Sequence, residues 1–272
     1  MNSYDVSSCL DSHNFSIKDS SNSLYYDKSN RNIFLYWNGK NYKLITLLKK
    51  LIYLHSTNGI GYNVHLLTKN NINNYIINLP INFYNLNYAH QADYIRVNLI
   101  YNYGGIWLDS DTLVLDTLDS LFNILQEYNG FFIRENNKHL INGVFGSKKH
   151  TCLLKEWMNI IELKIKNNNN IKPNELGSSI LAMLYNKNIT LFLNYKIFNG
   201  LDNLYPINWY NCVTEFINKP YNNYKNIIRE YQPFIILVNS VYKHFENITI
   251  YEILNGNMPI NYFINKSFEN IK

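Results

Sequence analysis

Apolar residues in this chain gather in short runs between Asn- and Lys-rich stretches, and the spacing within each run predicts its conformation. Residues 31–37, RNIFLYW, form an apolar β-type run closed by Asn38-Gly39, so a first strand and a turn are expected there. From Lys43 to His55 the leucines fall at helical spacing, and Asn58-Gly59 ends that helix. GYNVHLLT, 61–68, reads as a second strand, and the strand, helix, strand order favours a parallel α/β sheet. Further along, a helix is expected over 88–103 and strands over 106–108, 130–134 and 142–147. An amphipathic helix follows over 150–165, then the NNNNIKPN loop, a helix in ELGSSILAMLY and a buried strand in FIILV at 234–238. Residues 186–232 and the tail from Tyr251 carry no decisive pattern.

The stretch QADYIRVNLIYNYGGIWLDSDTLVL, 91–115, holds the candidate chemistry. On a helix Asp93 and Arg96 share a face near its start, while Ala92, Ile95 and Leu99 supply an apolar stripe. Gly104 suits the left-handed position that ends a helix, and Gly105 lets the backbone turn into a strand. Ile106-Trp107-Leu108 then drives into the core and delivers Asp109 to the strand end. Strand geometry has period two, so Asp109 and Asp111 are expected to point the same way, roughly 6.5 Å apart at Cα, with Ser110 on the other side. Two carboxylates on one side make a hard-oxygen site, suited to Mg²⁺ or Mn²⁺ bridged to phosphate oxygens.

Composition narrows the setting. With 272 residues, 46% of them hydrophobic, the chain can bury one large core, so a polar leader over 1–30 and a single folded domain over 31–272 are expected. The net charge of +5 is dispersed, with only short pairs such as Lys49-Lys50 and Lys148-Lys149. That suits an anionic small molecule and argues against a nucleic-acid groove. Three cysteines, Cys9, Cys152 and Cys212, are too few and too distant for a disulfide framework or a zinc site. Reduced thiols in a cytoplasmic setting are therefore expected. No signal-peptide pattern opens the sequence, and no run approaches the ~18 apolar residues of a membrane helix. Asn and Tyr are over-used, as in an AT-rich coding sequence, so isolated ones are discounted.

The combination A-D-x-x-R, an apolar helix and G-G-I-W-x-D-x-D resembles the DxD-containing glycosyltransferases of family 32. These are similar in turn to the glucosylating domains of large clostridial toxins and to capsular-polysaccharide transferases. The close resemblance covers about 88–121, with weaker echoes in IFLYWNGK and INGVFGSKKH. It implies a GT-A fold, a Rossmann-like mixed sheet flanked by helices. It also implies a UDP- or GDP-sugar donor, a Mn²⁺ or Mg²⁺ ion, a glycan or other hydroxyl acceptor, and retention of anomeric configuration.

By the same resemblance Asp93 and Arg96 hold donor-sugar hydroxyls, Asp109 serves the ribose and metal region, and Asp111 binds the metal. Trp37 matches the position that stacks the nucleobase, flanked by backbone contacts from Leu35 and Tyr36. Gly104, Gly105, Ser110 and Asn142 complete the implied donor-binding set. The family's C-terminal His or Trp motif has no clean counterpart, and Asn239, Ser240 and His244 are the nearest candidates for a third metal ligand.

Two other readings stand beside this one. IWLDSDTLVL also resembles the haloacid-dehalogenase motif, in which Asp109 would be a phosphohydrolase nucleophile, although the Gly usual before the Thr is absent. A non-catalytic nucleotide-sugar binding module on a decayed transferase fold is the second.

Overall fold

The computed structural model describes residues 31–57, 61–135, 139–167, 170–199, 233–237 and 247–271. The expected leader, the Asn58-Gly59 stop and the candidates Asn239, Ser240 and His244 lie outside them.

Strand β1 (Asn32–Tyr36), helix α1 (Lys43–Thr57) and strand β2 (Asn63–Leu67) form the expected opening unit, with β2 parallel to β1. Helix α2 (Tyr88–Tyr103) then crosses to β3 (Gly105–Leu108), which pairs parallel with the other edge of β1. After β4 (Thr112–Val114) and α3 (Asp119–Glu127), β5 (Gly130–Glu135) and β6 (His139–Ser147) form an antiparallel pair. Next come α4 (Cys152–Asn167), α5 (Ser178–Lys187) and β7 (Tyr195–Asn199), with β7 parallel to β5. β8 (Phe234–Ile236), α6 (Ile250–Asn255) and α7 (Pro259–Glu269) follow.

The main sheet runs β2-β1-β3-β6-β5-β7, and β6 is its antiparallel strand. This mixed, mostly parallel α/β architecture agrees with the fold class expected from sequence.

Alternation along the strands sends side chains to two cores. Phe34, Tyr36, Trp107, Phe132 and Phe145 pack with α2, α4 and α5 on one face. Ile33, Leu35, Ile106, Leu108 and Val144 pack with Leu121 and Phe122 of α3 on the other. A third cluster joins α1 to β4, β8 and α7. α2 is buried from Asp93 to Ile100, and its start is fixed by the Asn87 side chain, which accepts from the His90 amide at 2.9 Å. It ends at Gly104, whose φ of 69° is the left-handed turn-out that glycine adopts without steric cost.

One expectation is corrected. The strand does not run through the two aspartates: β3 stops at Leu108, and the Thr112 amide donates to the Asp109 carbonyl at 2.9 Å, closing a turn. β4 then leaves to pair antiparallel with β8. The period-two argument for Asp109 and Asp111 therefore does not apply. Their nearness comes from a turn.

Candidate active site

In an open α/β sheet, ligands bind beyond the carboxyl ends of the strands where the strand order reverses. Here the reversal is at β1, which has β2 on one side and β3 on the other. The chain leaving β1 begins with Trp37, and the chain leaving β3 begins with Asp109, so the topology alone brings these two expected residues to one crevice. A cross-link fixes the two strand ends: the buried Ser110 hydroxyl donates to the Tyr36 carbonyl at 3.1 Å.

Asp93 and Arg96 enter from α2. Arg96 is almost wholly buried, with its Nη2 3.1 Å from Asp109 Oδ1 and 3.6 Å from Asp93 Oδ1. Its Nη1 donates to the Asn142 carbonyl at 2.6 Å, its Nε to the Ala92 carbonyl at 3.2 Å, and its guanidinium carbon lies 5.2 Å from the Trp107 ring centre. The Asn142 side-chain amide donates to Asp93 Oδ1 at 2.7 Å. Asp109 Oδ1 also accepts from Trp107 Nε1 at 2.8 Å, and the Asp109 amide donates to the Gly143 carbonyl at 2.7 Å. One arginine thus serves two carboxylates, and with Asp111 on the adjoining turn the local charge is negative. Burial pushes the Asp93 carboxyl above the usual carboxylate range against the pull of Arg96. Desolvation pushes Asp109 the same way, moderated by Arg96 and by a side chain that remains 33% exposed.

Asp109 Oδ2 has no hydrogen-bond partner among the described residues, and it lies where a Cβ on Gly143 would come within 2.8 Å of it. Gly177 shows the same close approach. A Cβ there would sit 2.1 Å from Asn142 Nδ2 and 2.8 Å from Asp93 Oδ1, so the turn before α5 closes directly on the cluster. Gln91, one turn earlier on α2, accepts from the Tyr36 hydroxyl at 2.5 Å and donates to the Leu86 carbonyl at 2.8 Å. Burial pushes the Tyr36 hydroxyl up to about 12, so it stays a proton donor.

The structure therefore brings together Asp93, Arg96, Asp109, Ser110 and Asn142, with Asp111 on the same turn. Trp37 is half-buried near them, edge-on to Tyr42 at 6.4 Å, with the Lys49 ammonium 6.0 Å from its ring centre. Its indole N–H is buried without a hydrogen-bond partner among the described residues. Leu35 stays in the ladder opposite Leu66 with its side chain in the core, and the Tyr36 carbonyl is taken by Ser110. Gly104 and Gly105 lie at the other end of β3, roughly 13 Å away at strand rise. A Cβ on Gly105 would meet the Asn32 carbonyl at 2.3 Å, so glycine is required there by backbone contact rather than by a donor.

Trp107, Gln91, Gly143 and Gly177 belong to this neighbourhood without having been singled out for it from sequence. Trp107 was expected in the core, and it is there with its N–H turned to Asp109. Sequence spacing carried no signal for Gly177, which meets Asp93 across 84 positions.

The chain belongs to the capsular polysaccharide synthesis protein family, whose model matches residues 7–268. No curated protein matches it. Among solved structures it is similar to a glycosyltransferase involved in glycosylating the major capsid of the virus PBCV-1, at 13% identity, covering 79% of this chain and 98% of that one with a TM-score of 0.47. It is also similar to the glycosyltransferase GlyE of Streptococcus pneumoniae, at 15% identity, 88% and 63% coverage and a TM-score of 0.44. The galactosyltransferase LgtC, solved with donor and acceptor sugar analogues, matches at 12% identity, 88% and 95% coverage and a TM-score of 0.40. No helix among the described residues is long and apolar enough to cross a membrane.

Proposed function

We propose that this chain transfers a sugar, with retention, from a UDP- or GDP-sugar to an acceptor hydroxyl in glycan or capsule synthesis. The observation that carries this reading is the buried cluster of Asp93, Arg96, Asp109 and Asn142 at the sheet's switch point, beside the D-S-D turn. Asp93 and Arg96 supply an acceptor and a planar donor fork on rigid helical backbone, which suits fixing sugar hydroxyls. Trp37, at the end of β1, is the candidate surface for the base.

The donor set fits a hard divalent cation. Two carboxylates completed by substrate phosphate oxygens match Mn²⁺ or Mg²⁺, and Asp109 retains an oxygen without a hydrogen bond among the described residues for that purpose. Asp109 and Asp111 would hold the ion, which when bound neutralises charge on the departing diphosphate. Arg96 and the Trp107 N–H orient the Asp109 carboxylate, and Asn142 orients Asp93, so both acids are set before the donor arrives.

UDP or GDP with Mn²⁺ should raise the melting temperature by several degrees at ligand concentrations about 100-fold above Kd, where mass action contributes about 2.7 kcal/mol. Asp111→Asn should abolish the Mn²⁺-dependent part of that rise and reduce turnover of the nucleotide sugar by orders of magnitude, with the unliganded melting temperature unchanged. No shift with either nucleotide and either metal would remove the donor-site reading. Release of inorganic phosphate from phosphomonoesters, without sugar release, would favour the phosphohydrolase instead.

A further inference from the structure

Between β2 and α2 and into the first turns of α2 the chain runs from Asn70 to Ala92 without an Asp, Glu, Lys or Arg, and part of this neutral stretch lies beside the candidate site. Tyr84 and Tyr88 are its exposed aromatics, at 55% and 57%. Tyr84 sits in a 3-10 turn, Phe83–Asn85, whose Phe83 is fully buried, edge-on to the Tyr84 ring at 5.2 Å and to the Tyr94 ring at 5.7 Å. Tyr88 is the first residue of α2, directly after the Asn87 cap. Between the two, the Leu86 carbonyl accepts from Gln91 Nε2 at 2.8 Å, and Gln91 Oε1 accepts from the Tyr36 hydroxyl at 2.5 Å. These bonds set both tyrosines at the carboxyl end of β1, where Trp37 begins the crevice. Their hydroxyls lie near enough to that of Tyr36 that, after burial, Tyr88 and then Tyr84 add to its rise to about 12, while the Asn38 side chain bonds the same hydroxyl.

We propose that Tyr84 and Tyr88 form the acceptor subsite, a platform for one uncharged pyranose ring whose hydroxyl receives the transferred sugar. This rests on the donor-site reading above. Tyr88 precedes Asp93 by five helical residues, about 7.5 Å of rise, so a ring on the exposed Tyr88 lies just outward of one held by the buried Asp93 and Arg96. The acceptor oxygen bonds the donor's anomeric carbon as the bond from that carbon to the diphosphate breaks. The diphosphate leaves with the electron pair and takes the hydroxyl proton. A pyranose presents a face of C–H groups and an edge of hydroxyls, which aromatic faces and the phenol hydroxyls with the exposed Asn85 amide match in turn. No Lys or Arg of the stretch would compensate a sugar acid, and Asp93, Asp109 and Asp111 repel one. Ile77 and Ile81 are also exposed on this stretch, which makes a bilayer surface the rival occupant. Insertion would strip water from the exposed Asn78 and Asn85 amides, and no cation of the stretch draws it to anionic lipid.

The full chain is titrated with methyl glucoside, methyl galactoside and methyl glucuronide, observed by saturation-transfer NMR with irradiation of the protein's aromatic protons. Saturation should reach the ring C–H protons of a neutral glycoside and not those of the glucuronide. The double variant Tyr84→Ala, Tyr88→Ala should weaken that binding at least about tenfold, as loss of an aromatic platform does in base stacking. Tyr84→Phe, Tyr88→Phe keeps both faces and should retain most of it. With a panel of nucleotide sugars and the same glycosides, the alanine pair should raise the glycoside KM while the melting-temperature shift with UDP or GDP and Mn²⁺ stays as in the parent. That contrast separates loss of the acceptor platform from loss of the donor site. A neutral-glycoside signal that is absent, or unchanged in the alanine pair, overturns the proposal. Sedimentation with phosphatidylcholine vesicles that the alanine pair abolishes, without glycoside binding, assigns the surface to a bilayer. A concentration-dependent dimer lost in the same variant assigns it to a second copy. Glycoside binding through the tyrosines in a chain that binds neither nucleotide removes the acceptor role together with the donor-site reading.

Discussion

Trp107 gives the sharpest residue-scale test, because its ring and its N–H have separate tasks. The ring is fully buried in the core cluster that holds Phe34, Phe132 and Phe145, while the N–H holds Asp109 Oδ1 at 2.8 Å. Trp107→Phe keeps an aromatic in the core and removes the donor, so turnover of the nucleotide sugar should fall more than stability does. A lost hydrogen bond to a charged group is worth about 1.5–3 kcal/mol, and cavity and strain add to that in urea unfolding. Parent-like kcat in a folded variant would show that Arg96 alone orients Asp109. His65 tests a titration. It is stacked on Phe34 at 4.8 Å, its Nδ1 is 3.2 Å from the Tyr75 hydroxyl, and burial pushes it down to about 4. The folded chain keeps it neutral where the unfolded chain takes up a proton, so its contribution is complete above pH ~6.5 and is lost as pH falls toward 4. Relative to His65→Gln, the parent should lose on the order of 2–3 kcal/mol between pH 7 and 4.5, read from urea midpoints at each pH. The D-x-x-R spacing and the D-x-D pair were legible in the sequence because both are local. The Trp107 contact was not, since a strand tryptophan has the same apolar spacing whether or not its N–H has an acceptor.

At the scale of elements, α2 concentrates the dependence of the site on one helix. Its first turn is anchored by Asn87, and both Asp93 and Arg96 follow within three turns. Asn87→Ala should cost about 1 kcal/mol of stability through the lost cap, read from urea midpoints, and lower donor turnover by loosening both residues. Most elements were readable from their periodicity, and their observed ends shift by a few residues, as for the 150–165 helix found at Cys152–Asn167. β7, Tyr195–Asn199, lay in the stretch without a decisive pattern because an edge strand has one neighbour and needs no long apolar run. The turn at Asp109 escaped for a different reason. Sequence places the strand over 106–108 and carries its period of two on to Asp111, whereas Thr112–Val114 leaves to pair with Phe234–Ile236, far along the sequence.

Across the whole molecule the same sheet separates two kinds of charge. Acids and the turn lie beyond the carboxyl end of β3, and cations line the space at its start. Raising ionic strength should therefore erode the stability contributed by the more exposed Arg31–Asp119 pair and leave that of the Arg96–Asp109 pair, whose arginine is almost wholly shielded from solvent, largely unchanged. Urea midpoints of Asp119→Asn and Asp109→Asn, each against the parent across one salt series, give the comparison. Equal slopes would mean that burial does not shield the Arg96 pair.

The ladder that carries the D-S-D turn also decides when during synthesis that turn becomes secure. The Leu237 amide bonds the Asp111 carbonyl at 3.2 Å, the Ser267 hydroxyl donates to the Val114 carbonyl at 2.5 Å, and the Asn270 amide donates to the Leu115 carbonyl at 2.9 Å. A ribosome making ~5–20 residues per second finishes β3 several seconds before any of these partners exist. A nascent chain can thus bury Trp107 while the loop bearing Asp111 still lacks its restraints. Pulse-labelled chains arrested at residue 232 should hold β1–β3 resistant to protease yet gain no protection from UDP or GDP with Mn²⁺, and chains released at full length should gain it. Nucleotide protection already present in the arrested chain would mean that β8 and α7 stabilise the turn without being needed to form it.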